Sequence, residues 1–502
     1  MFRLHFHGAV HGVTGSCYVV ETPSGPLMID FGLYQGGREQ EEENRLPFGF
    51  DAKEIKWAIL THAHIDHSGR IPLLVKRGYA GPIFATPATC DLADIMLRDS
   101  AHIQEEDALY EAKKFRRGQL GEPPPEPLYT IADAEAAQSH FRPVPYGEMV
   151  ELSENIRFRL IDAGHILGSA HVEITLREGA QQVRLTFSGD IGTGDNPLLR
   201  NPEVPAATDF LVMESTYGDR AHEDAAVRVD LLRQIVAAAD ERRGCVVIPA
   251  FAVGRTQELL YFLNNLIEGH TLPAVLTFVD SPLAMEATRV FRKHPECYNA
   301  ALRERILGGD DPFDFPNLHF TRTTDESKAI NTTAPPYVVL SAAGMCNAGR
   351  IRHHLLNHLG NRQDTILFVG YQAKETLGRR IKDGFSPVKI MGETIPVRAK
   401  IAAIEGFSAH ADRNGLLAWF GRLPQPPGIT FVTHGEPPAS FSLRDALDQQ
   451  CHAQALVPDV GQVVDLSLDN PALAAQVQAQ VNRPVTPGET ASSEEPVGNQ
   501  DG

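Results

Sequence analysis

Four potential metal ligands lie within six residues in the stretch 61–69, which reads Thr-His-Ala-His-Ile-Asp-His-Ser-Gly. The apolar run at 57–60 before it is typical of a short buried strand, and Ser-Gly at 68–69 is typical of a turn before a helix. Imidazole nitrogens and carboxylate oxygens suit Zn²⁺ and similar divalent ions. This spacing is hard to direct at one tetrahedral ion. The sequence therefore predicts two ions, with His62 and His64 on one and Asp66 and His67 on the other.

Further imidazoles and carboxylates follow other short apolar segments. Asp30 follows 26–29, His165 lies in a glycine-rich turn at 162–171, Asp190 follows 183–187, and His434 follows 429–433. Each one alone has a structural explanation, and Asp30 in particular fits either a turn former or a carboxylate that orients a ligating imidazole. Taken together with the cluster at 62–67, they predict two complete coordination shells.

The pattern of strands and helices indicates two domains. From about residue 209, candidate strands at 210–214, 245–249, 275–279, 337–340 and 366–369 alternate with helical segments, which predicts a parallel, doubly wound sheet. Near 397–404 a strand-only pattern resumes, so this α/β domain is predicted to be an insertion. The predicted boundaries are 1–208 and 396–470 for the first domain, 209–395 for the insertion, and 480–502 for a disordered tail rich in Pro, Ser, Glu and Gly.

Composition excludes several classes of protein. A net charge of −18 over 502 residues excludes a globally basic nucleic-acid binder, although a local basic cleft stays compatible with it. Six scattered cysteines without a CxxC pair argue against a disulfide framework and against a cysteine zinc site. With no signal-peptide pattern and no apolar run of membrane-spanning length, we expect a cytoplasmic protein without a membrane partner.

Several motifs carry a resemblance to a known family. His-Ala-His-Ile-Asp-His at 62–67, with Asp30, His165 and Asp190, resembles the metallo-β-lactamase fold hydrolases. Glu214 in Met-Glu-Ser-Thr-Tyr-Gly-Asp, His410 in Phe-Ser-Ala-His-Ala-Asp and His434 in Val-Thr-His-Gly-Glu look like motifs A, B and C of the β-CASP branch. That branch holds nucleases, including ribonuclease J and the endonuclease subunit of the mRNA 3′-end cleavage machinery. The segments 249–255 and 341–345 also look like β-CASP signatures, and the likeness covers about residues 1–450.

The resemblance implies a fold and a role for each motif residue. The expected fold is a metallo-β-lactamase αβ/βα sandwich with an inserted doubly wound β-CASP domain. One metal would take His62, His64 and His165, the other Asp66, His67 and His434, and Asp190 would bridge them. The expected catalytic residues are His410, Glu214, Asp66 and Asp30. His410 would protonate the leaving oxygen or hold the scissile phosphate, with Glu214 orienting it, whereas its structural alternative is a cap for the helix that begins near 411.

The residues expected to bind substrate are a separate set, in glycine-containing loops of the insertion: Arg255, Ser341, Gly344, Arg350 and Arg379. The competing interpretation is that the arginines are ordinary solvated side chains and that Ser341 and Gly344 belong to a tight turn. It explains these residues nearly as well as substrate binding does. The histidines at 353, 354 and 358 are expected at the surface.

The function predicted from these features is hydrolysis of single-stranded RNA by a ribonuclease with two divalent ions. Zn²⁺ is expected, and Mn²⁺ or Fe²⁺ are alternatives. The competing functions are a small-ester or thioester hydrolase and a non-catalytic scaffold in RNA processing. Endonuclease or 5′-exonuclease action, and a monomer or a homodimer, stay open.

Overall fold

The computed structural model describes residues 2–119, 121–179, 181–223, 225–370, 372–373, 375–404, 406–467 and 470–481. Of the tail predicted to be disordered, residues 482–502 lie outside the described residues, and 480–481 end the last helix. Within the described ranges, no helix is both long and apolar enough to cross a membrane.

The elements are numbered in chain order. The first segment contains β1 (Arg3–Gly8), β2 (Cys17–Glu21), β3 (Leu27–Ile29), α1 (Arg38–Glu43), β4 (Trp57–Ile59), α2 (Ile65–Ser68), α3 (Ile71–Lys76), β5 (Ile83–Ala85), α4 (Pro87–Arg116), α5 (Ile131–Gln138), β6 (Phe141–Pro143), β7 (Met149–Ser153), β8 (Ile156–Asp162), β9 (Ala170–Glu178), β10 (Gln181–Phe187) and β11 (Phe210–Glu214). The middle segment contains α6 (Ala225–Glu241), β12 (Val246–Pro249), α7 (Arg255–Glu268), β13 (Leu276–Val279), α8 (Pro282–Lys293), a 3₁₀ helix (Pro295–Cys297), α9 (Ala300–Leu307), β14 (Leu318–Phe320), α10 (Thr324–Ile330), β15 (Tyr337–Ser341), α11 (Ile351–His358), β16 (Thr365–Phe368), α12 (Leu377–Lys382), β17 (Val388–Ile390), β18 (Glu393–Ile395) and β19 (Lys400–Ala403). The last segment contains α13 (Arg413–Gly421), β20 (Ile429–Thr433), α14 (Pro437–Cys451), β21 (Ala455–Leu456), β22 (Val463–Asp465) and α15 (Pro471–Val481).

Two seven-stranded sheets form the first domain. Their strand orders are β22-β1-β2-β3-β4-β5-β6 and β21-β20-β11-β10-β9-β8-β7. Alternate side chains of the two sheets, such as Leu4, Phe6, Phe158 and Phe187, are buried in one apolar core between them. Helices cover the outer faces, with α4 and α5 packed on the first sheet and α13 and α14 on the second. This is the αβ/βα sandwich expected from the resemblance.

The inserted domain is built on a six-stranded parallel sheet with the order β14-β13-β15-β12-β16-β19. One face is packed against α6, α7 and α8, and the other against α11 and α12. Coverage of both faces explains why β12, β15 and β16 are buried along their whole length and read as continuous apolar runs. The doubly wound architecture predicted for the insertion is confirmed.

Two strands lie in a different sheet from the one predicted. Strand β11, predicted to open the insertion, pairs in parallel with β10 and β20 in the second sandwich sheet. Strand β19, predicted to resume the first domain, pairs in parallel with β16 at the edge of the inserted sheet. The error has a physical cause: β11 is buried on both faces like the strands of the insertion, so its apolar pattern does not identify its partners.

The two domains are packed against each other through a shared apolar cluster. It contains Ile166 and Leu167 of the sandwich together with Ala250, Val253 and Phe407. A short backbone pairing also joins Leu199 to Tyr298. The loops that leave the inserted sheet are therefore held against the loops of the sandwich that carry the predicted metal ligands.

Candidate metal centre and catalytic pair

The predicted ligands lie at the carboxyl ends of strands, and all of these ends meet at one edge of the sandwich. Strand β4 leads into the loop and short helix that carry His62 to His67, while β10 leads to Asp190 and β20 to His434. His434 has a positive φ of 49°, a conformation that turns the chain sharply as the strand ends. The strand-end position expected for these residues is what brings distant segments together.

Seven side chains form two groups of potential ligands. His62, His64, His165 and Asp190 offer atoms within 4.8 Å of one another, and Asp66, His67 and His434 form a second such group. In the first group, His64 Nδ1 lies 3.2 Å from both His62 Nε2 and His165 Nε2. In the second, His67 Nε2 lies 3.0 Å from His434 Nε2. The structure thus brings together all seven residues predicted to bind metal. It also places His62, His64 and His165 in one group and Asp66, His67 and His434 in the other, which is the expected division.

Asp190 lies between the two groups. Its Oδ2 is 3.3 Å from His62 Nε2 and 3.4 Å from His165 Nε2, and its Oδ1 is 3.3 Å from His67 Nε2 and 3.4 Å from His434 Nδ1. The carboxylate is buried, and neither oxygen has a hydrogen-bond partner among the described residues. A buried carboxylate without donors is costly. The residues therefore fit a divalent metal site, because a cation between these atoms would satisfy both the carboxylate and the imidazoles.

The protonation states of the first group favour metal binding. Burial lowers the pKa of His64 to about 3, and burial also lowers the pKa of His62 and His165. These imidazoles are consequently neutral near pH 7, which is the form that binds a metal ion.

Asp30 supports the cluster from outside the two groups. Its Oδ1 accepts a hydrogen bond from Thr61 N at 2.8 Å, and its Oδ2 accepts one from Thr61 Oγ1 at 2.9 Å and lies 2.7 Å from His67 Nδ1. A carboxylate on Nδ1 fixes the ring of His67 so that Nε2 faces Asp190, a common arrangement around metal-binding histidines. This contact makes Asp30 an orienting residue, not a ligand.

The His165 turn is fixed by hydroxyl groups that were not predicted from the sequence. Ser169 Oγ accepts a hydrogen bond from His165 N at 3.0 Å, and Gly168 O accepts hydrogen bonds from the hydroxyls of Thr86 and Thr89 at 2.7 and 2.8 Å. Thr86 also caps helix α4 by accepting a hydrogen bond from Thr89 N. A Thr before a helix is a visible cap signal, but its contact with a turn some 80 residues later is not visible in the sequence.

His410 and Glu214 form a pair beside the ligands. His410 Nδ1 lies 3.1 and 3.2 Å from the two oxygens of Glu214, and its Nε2 lies 3.8 Å from Asp190 Oδ2. The buried Glu214 is itself held, because its Oε1 accepts a hydrogen bond from Ile191 N at 2.7 Å. Burial disfavours the imidazolium form of His410, but the carboxylates of Glu214 and Asp190 outweigh that effect and raise its pKa to about 9. These two carboxylates therefore favour the protonated form of His410.

The structural alternative for His410 was a helix cap, and another residue fills that place. Helix α13 is capped by Asp412, whose Oδ1 accepts a hydrogen bond from Gly415 N at 2.7 Å. The backbone of His410 instead forms an isolated bridge with Gly192, next to the Asp190 turn.

The residues predicted to bind substrate do not contact the metal ligands. Arg255 is buried and paired with Glu258, and Arg379 is paired with Asp383. Arg350 donates to Asp280 Oδ1 at 2.8 Å, and Ser341 Oγ donates to Asp280 O at 2.9 Å. Each guanidinium group is thus committed to a carboxylate of the inserted domain. Gly344 packs against the ring of Phe251, where an added Cβ would lie 3.1 Å from a ring carbon.

Two of the histidines expected at the surface are buried. His354 Nε2 lies 2.7 Å from Asp280 Oδ2, and His358 Nδ1 lies 2.7 Å from Asp364 Oδ2. The prediction was wrong because it missed these buried carboxylates, which follow β13 and precede β16. His358 also forms a potential donor group with Cys245 and Asp364. That Asp364 carboxylate already accepts a hydrogen bond from Cys245 N, so the group is a hydrogen-bonded part of the core.

Comparison with known proteins gives matches along most of the chain. The family models that match are the metallo-β-lactamase superfamily over residues 12–234, the β-CASP domain over 256–381, and the Zn-dependent metallo-hydrolase RNA specificity domain over 394–458.

Similar curated proteins include ribonuclease TTHA0252 of Thermus thermophilus, with 36% identity over 86% of this chain and 92% of that protein. The transcription termination factors FttA of Methanocaldococcus jannaschii and Methanosarcina mazei share 32% and 31% identity over 91% and 88% of this chain, and over 70% and 68% of their own lengths. Among solved structures, a protein of unknown function from Enterococcus faecalis V583 superimposes with a TM-score of 0.51 at 13% identity, covering 92% of this chain and 99% of that one, which supports the fold alone.

Proposed function

The chain belongs to the β-CASP family of metallo-β-lactamase fold hydrolases, and on that premise we propose that it is a metal-dependent ribonuclease that hydrolyses RNA phosphodiester bonds in RNA processing or degradation. The observation that carries the proposal is the convergence of six donor side chains around the carboxylate of Asp190, which has no hydrogen-bond partner among the described residues and lies directly beside the His410–Glu214 pair. A divalent metal site and a proton-carrying imidazole side by side are what hydrolysis of a phosphodiester requires.

Two ions per chain are proposed, and Zn²⁺ is the ion that the histidine-rich donor set favours. His62, His64 and His165 would hold one ion, Asp66, His67 and His434 the other, and the two oxygens of Asp190 face one group each. Bound there, divalent ions supply an activated water at neutral pH and neutralise charge on the phosphate. Asp30 keeps His67 aligned for this task through its contact with Nδ1.

His410 is proposed to deliver a proton to the leaving 3′ oxygen or to hold the scissile phosphate by a hydrogen bond. Glu214 fixes Nδ1, so the other nitrogen, Nε2, is directed to the side of the site where Asp190 lies. The carboxylates of Glu214 and Asp190 raise the pKa of His410 and so favour a protonated ring, which can give its proton to a more basic alkoxide. The side chains of His410 and Asp66 are about one-fifth exposed, so this side of the centre is open to a substrate.

Single-stranded RNA is the proposed substrate. Support comes from relatives that are named a ribonuclease and termination factors, and from the match to an RNA specificity domain over residues 394–458.

We place the protein in the cytoplasm, which the six unpaired cysteines support because free thiols persist in a reducing compartment. A homodimer is retained as a prediction from the sequence, to be checked by light scattering.

The test is cleavage of a single-stranded RNA labelled separately at each end, with and without a chelator, beside a DNA of the same sequence. Chelator-sensitive internal fragments from either label would establish an endonuclease, and early release of the 5′ label as a mononucleotide would establish a 5′ exonuclease. No cleavage by fully metallated protein would overturn the proposal. Turnover of thioesters would then support the small-ester hydrolase. A separate metal analysis that finds less than one ion per chain would support the scaffold.

A further inference from the structure

Phe251 presents its ring to solvent from a turn that is otherwise buried. The ring is about half exposed, whereas Ala250, Ala252 and Val253 around it are buried. The backbone is firmly held: Ala250 N donates to Ser341 O at 3.1 Å, and Phe251 O accepts a hydrogen bond from Thr256 Oγ1 at 2.7 Å. The exposure of the ring is therefore a property of an ordered turn, not of a loose loop.

This turn lies beside the metal centre. It connects β12 to α7 and ends at Gly254, where an added Cβ would be 3.3 Å from Cγ2 of Ile166, the neighbour of His165. The next residue, Arg255, has its guanidinium carbon 5.8 Å from the ring centre of Phe407, three residues before His410. Phe251 is thus on a rigid turn that contacts both the His165 turn and the His410 loop.

One side of the Phe251 ring rests on Gly344. An added Cβ at Gly344 would lie 3.1 and 3.2 Å from two ring carbons, tighter than ordinary contacts, so the bare backbone makes room for the ring. Gly344 is itself held, because its carbonyl accepts a hydrogen bond from Gln372 Nε2 at 3.1 Å. The Cδ2–Cε2 edge of the ring therefore rests on protein, while about half of the side chain stays exposed to solvent.

We propose that Phe251 is a stacking platform that receives one unpaired base of the RNA near the scissile phosphate. This inference rests on the proposed ribonuclease function and names how its substrate is held. Bases of single strands stack on exposed aromatic rings, and such contacts tolerate any sequence because every base has a π-face. A base paired in a duplex cannot offer its face to the ring, so the platform favours single-stranded over duplex RNA.

The test compares Phe251→Ala and Phe251→Tyr with the wild type on two substrates: a single-stranded RNA, and an abasic ribose dinucleotide, a small diester without any aromatic ring. We expect Phe251→Ala to lower kcat/KM for RNA between about 5-fold and about 150-fold, because that is the range of one base–aromatic stack. Hydrolysis of the small diester and the metal content should stay unchanged, and Phe251→Tyr should restore RNA cleavage. Phe385→Ala, which removes another exposed aromatic ring of the inserted domain, is the matched control and should match the wild type.

An RNA series with one abasic position at a time locates the base. In the wild type, one abasic position near the cut should reduce cleavage as Phe251→Ala does, and in that variant the same position should have no further effect. A Phe251→Ala variant within twofold of the wild type on RNA would overturn the platform while leaving the ribonuclease intact. Equal losses on RNA and on the small diester would assign Phe251 a structural role instead. A wild type that cleaves the small diester but no RNA would defeat the proposed function itself.

Discussion

At the scale of single residues, the site is organised by Asp190. Its two oxygens face four imidazoles from three different segments of the chain at 3.3–3.4 Å, and no donor among the described residues satisfies them. A metal-free protein would have to bury this charge with only the imidazoles as partners. The arrangement is thus costly without cations and well matched to them.

Replacing one ligand should remove the metal and the activity together. In His64→Ala, the imidazole whose Nδ1 is 3.2 Å from both His62 Nε2 and His165 Nε2 is lost, so one group is left with two imidazoles and a carboxylate. We expect substoichiometric metal by mass spectrometry of the purified protein and loss of RNA cleavage. The exposed His353→Ala is the control and should retain both. Full metal occupancy in His64→Ala would contradict the assignment of this ligand.

Replacing His410 should separate metal binding from catalysis. In His410→Ala, all seven donors stay in place, so metal content should equal that of the wild type while RNA cleavage falls by at least about 100-fold, within the range of a lost general acid. Glu214→Gln should give a smaller loss, since it weakens the orientation of the ring without removing it. Loss of metal in His410→Ala would show that the residue is a ligand, contrary to the proposed role.

The residues that converge at the candidate site could be predicted one by one, but the residues that support them could not. A cluster of histidines and carboxylates stands out in a sequence because such spacing is rare in an ordinary loop. No such signal marks the hydroxyl groups of Thr61, Thr86 and Ser169. A hydroxyl group is common in any turn, and only the fold shows which carboxylate, carbonyl or backbone amide it contacts. The role of the arginines in substrate binding stays a prediction. The sequence did not show that Arg255 and Arg350 pair with Glu258 and Asp280, which are buried carboxylates of the same domain.

At the scale of elements, a buried carboxylate ties together the loops of the inserted domain. Asp280, directly after β13, accepts hydrogen bonds from Thr321, Ser327 and Arg350 and lies 2.7 Å from His354 Nε2. Burial alone would raise its pKa, but the hydrogen bonds from His354, Thr321, Ser327 and Arg350 hold the pKa well below its usual value. Because Ser341 donates to the Asp280 carbonyl, the same residue also positions the loop that supports Phe251.

Asp280→Asn should therefore destabilise the protein in a pH-dependent way. A carboxyl with a depressed pKa in the folded state contributes stability above its unfolded pKa of about 4, and that contribution is lost as the pH falls below it. We expect the free energy of unfolding to fall by about 3 kcal/mol at pH 7, because the substitution removes the anion from a buried network of charged and polar groups. Thermal unfolding of both proteins at pH 7 and at about pH 3 measures the difference. If the difference in stability between the wild type and Asp280→Asn were the same at both pH values, the depressed pKa of Asp280 would be contradicted.

The element pattern predicted the architecture better than it predicted which sheet each strand joins. The alternation of strands and helices identified the insertion, because helices on both faces of a parallel sheet need that rhythm. Strands β11 and β19 were assigned to the wrong sheets, since pairing depends on where the chain returns in space and not on local periodicity. The parallel partners of β11, for instance, are β10 and β20, and the second of these lies more than 200 residues along the chain.

At the scale of the whole molecule, the metal centre joins the two halves of an interrupted domain. His62 to His67 and Asp190 precede the insertion, whereas His434 follows it, and the loops of the inserted domain are packed against this centre. Bound ions would thus link the segment before the insertion to the segment after it. Ligands that bind only the folded chain stabilise it, by about 2.7 kcal/mol for one site at a free concentration of 100 times Kd.

Chelation should accordingly lower the midpoint of thermal unfolding by several degrees, and added Zn²⁺ should restore it. The matched variant is His434→Ala, which removes the one ligand that lies beyond the insertion, and its unfolding midpoint should respond much less to the chelator than that of the wild type. His353→Ala, outside the site, should respond as the wild type does. If the chelator removed the metal without changing the midpoint of the wild type, the ions would not act as a link between the two segments. The connection across the insertion would then depend on contacts within the protein, such as the sheet pairing of β11 with β20 and of β1 with β22.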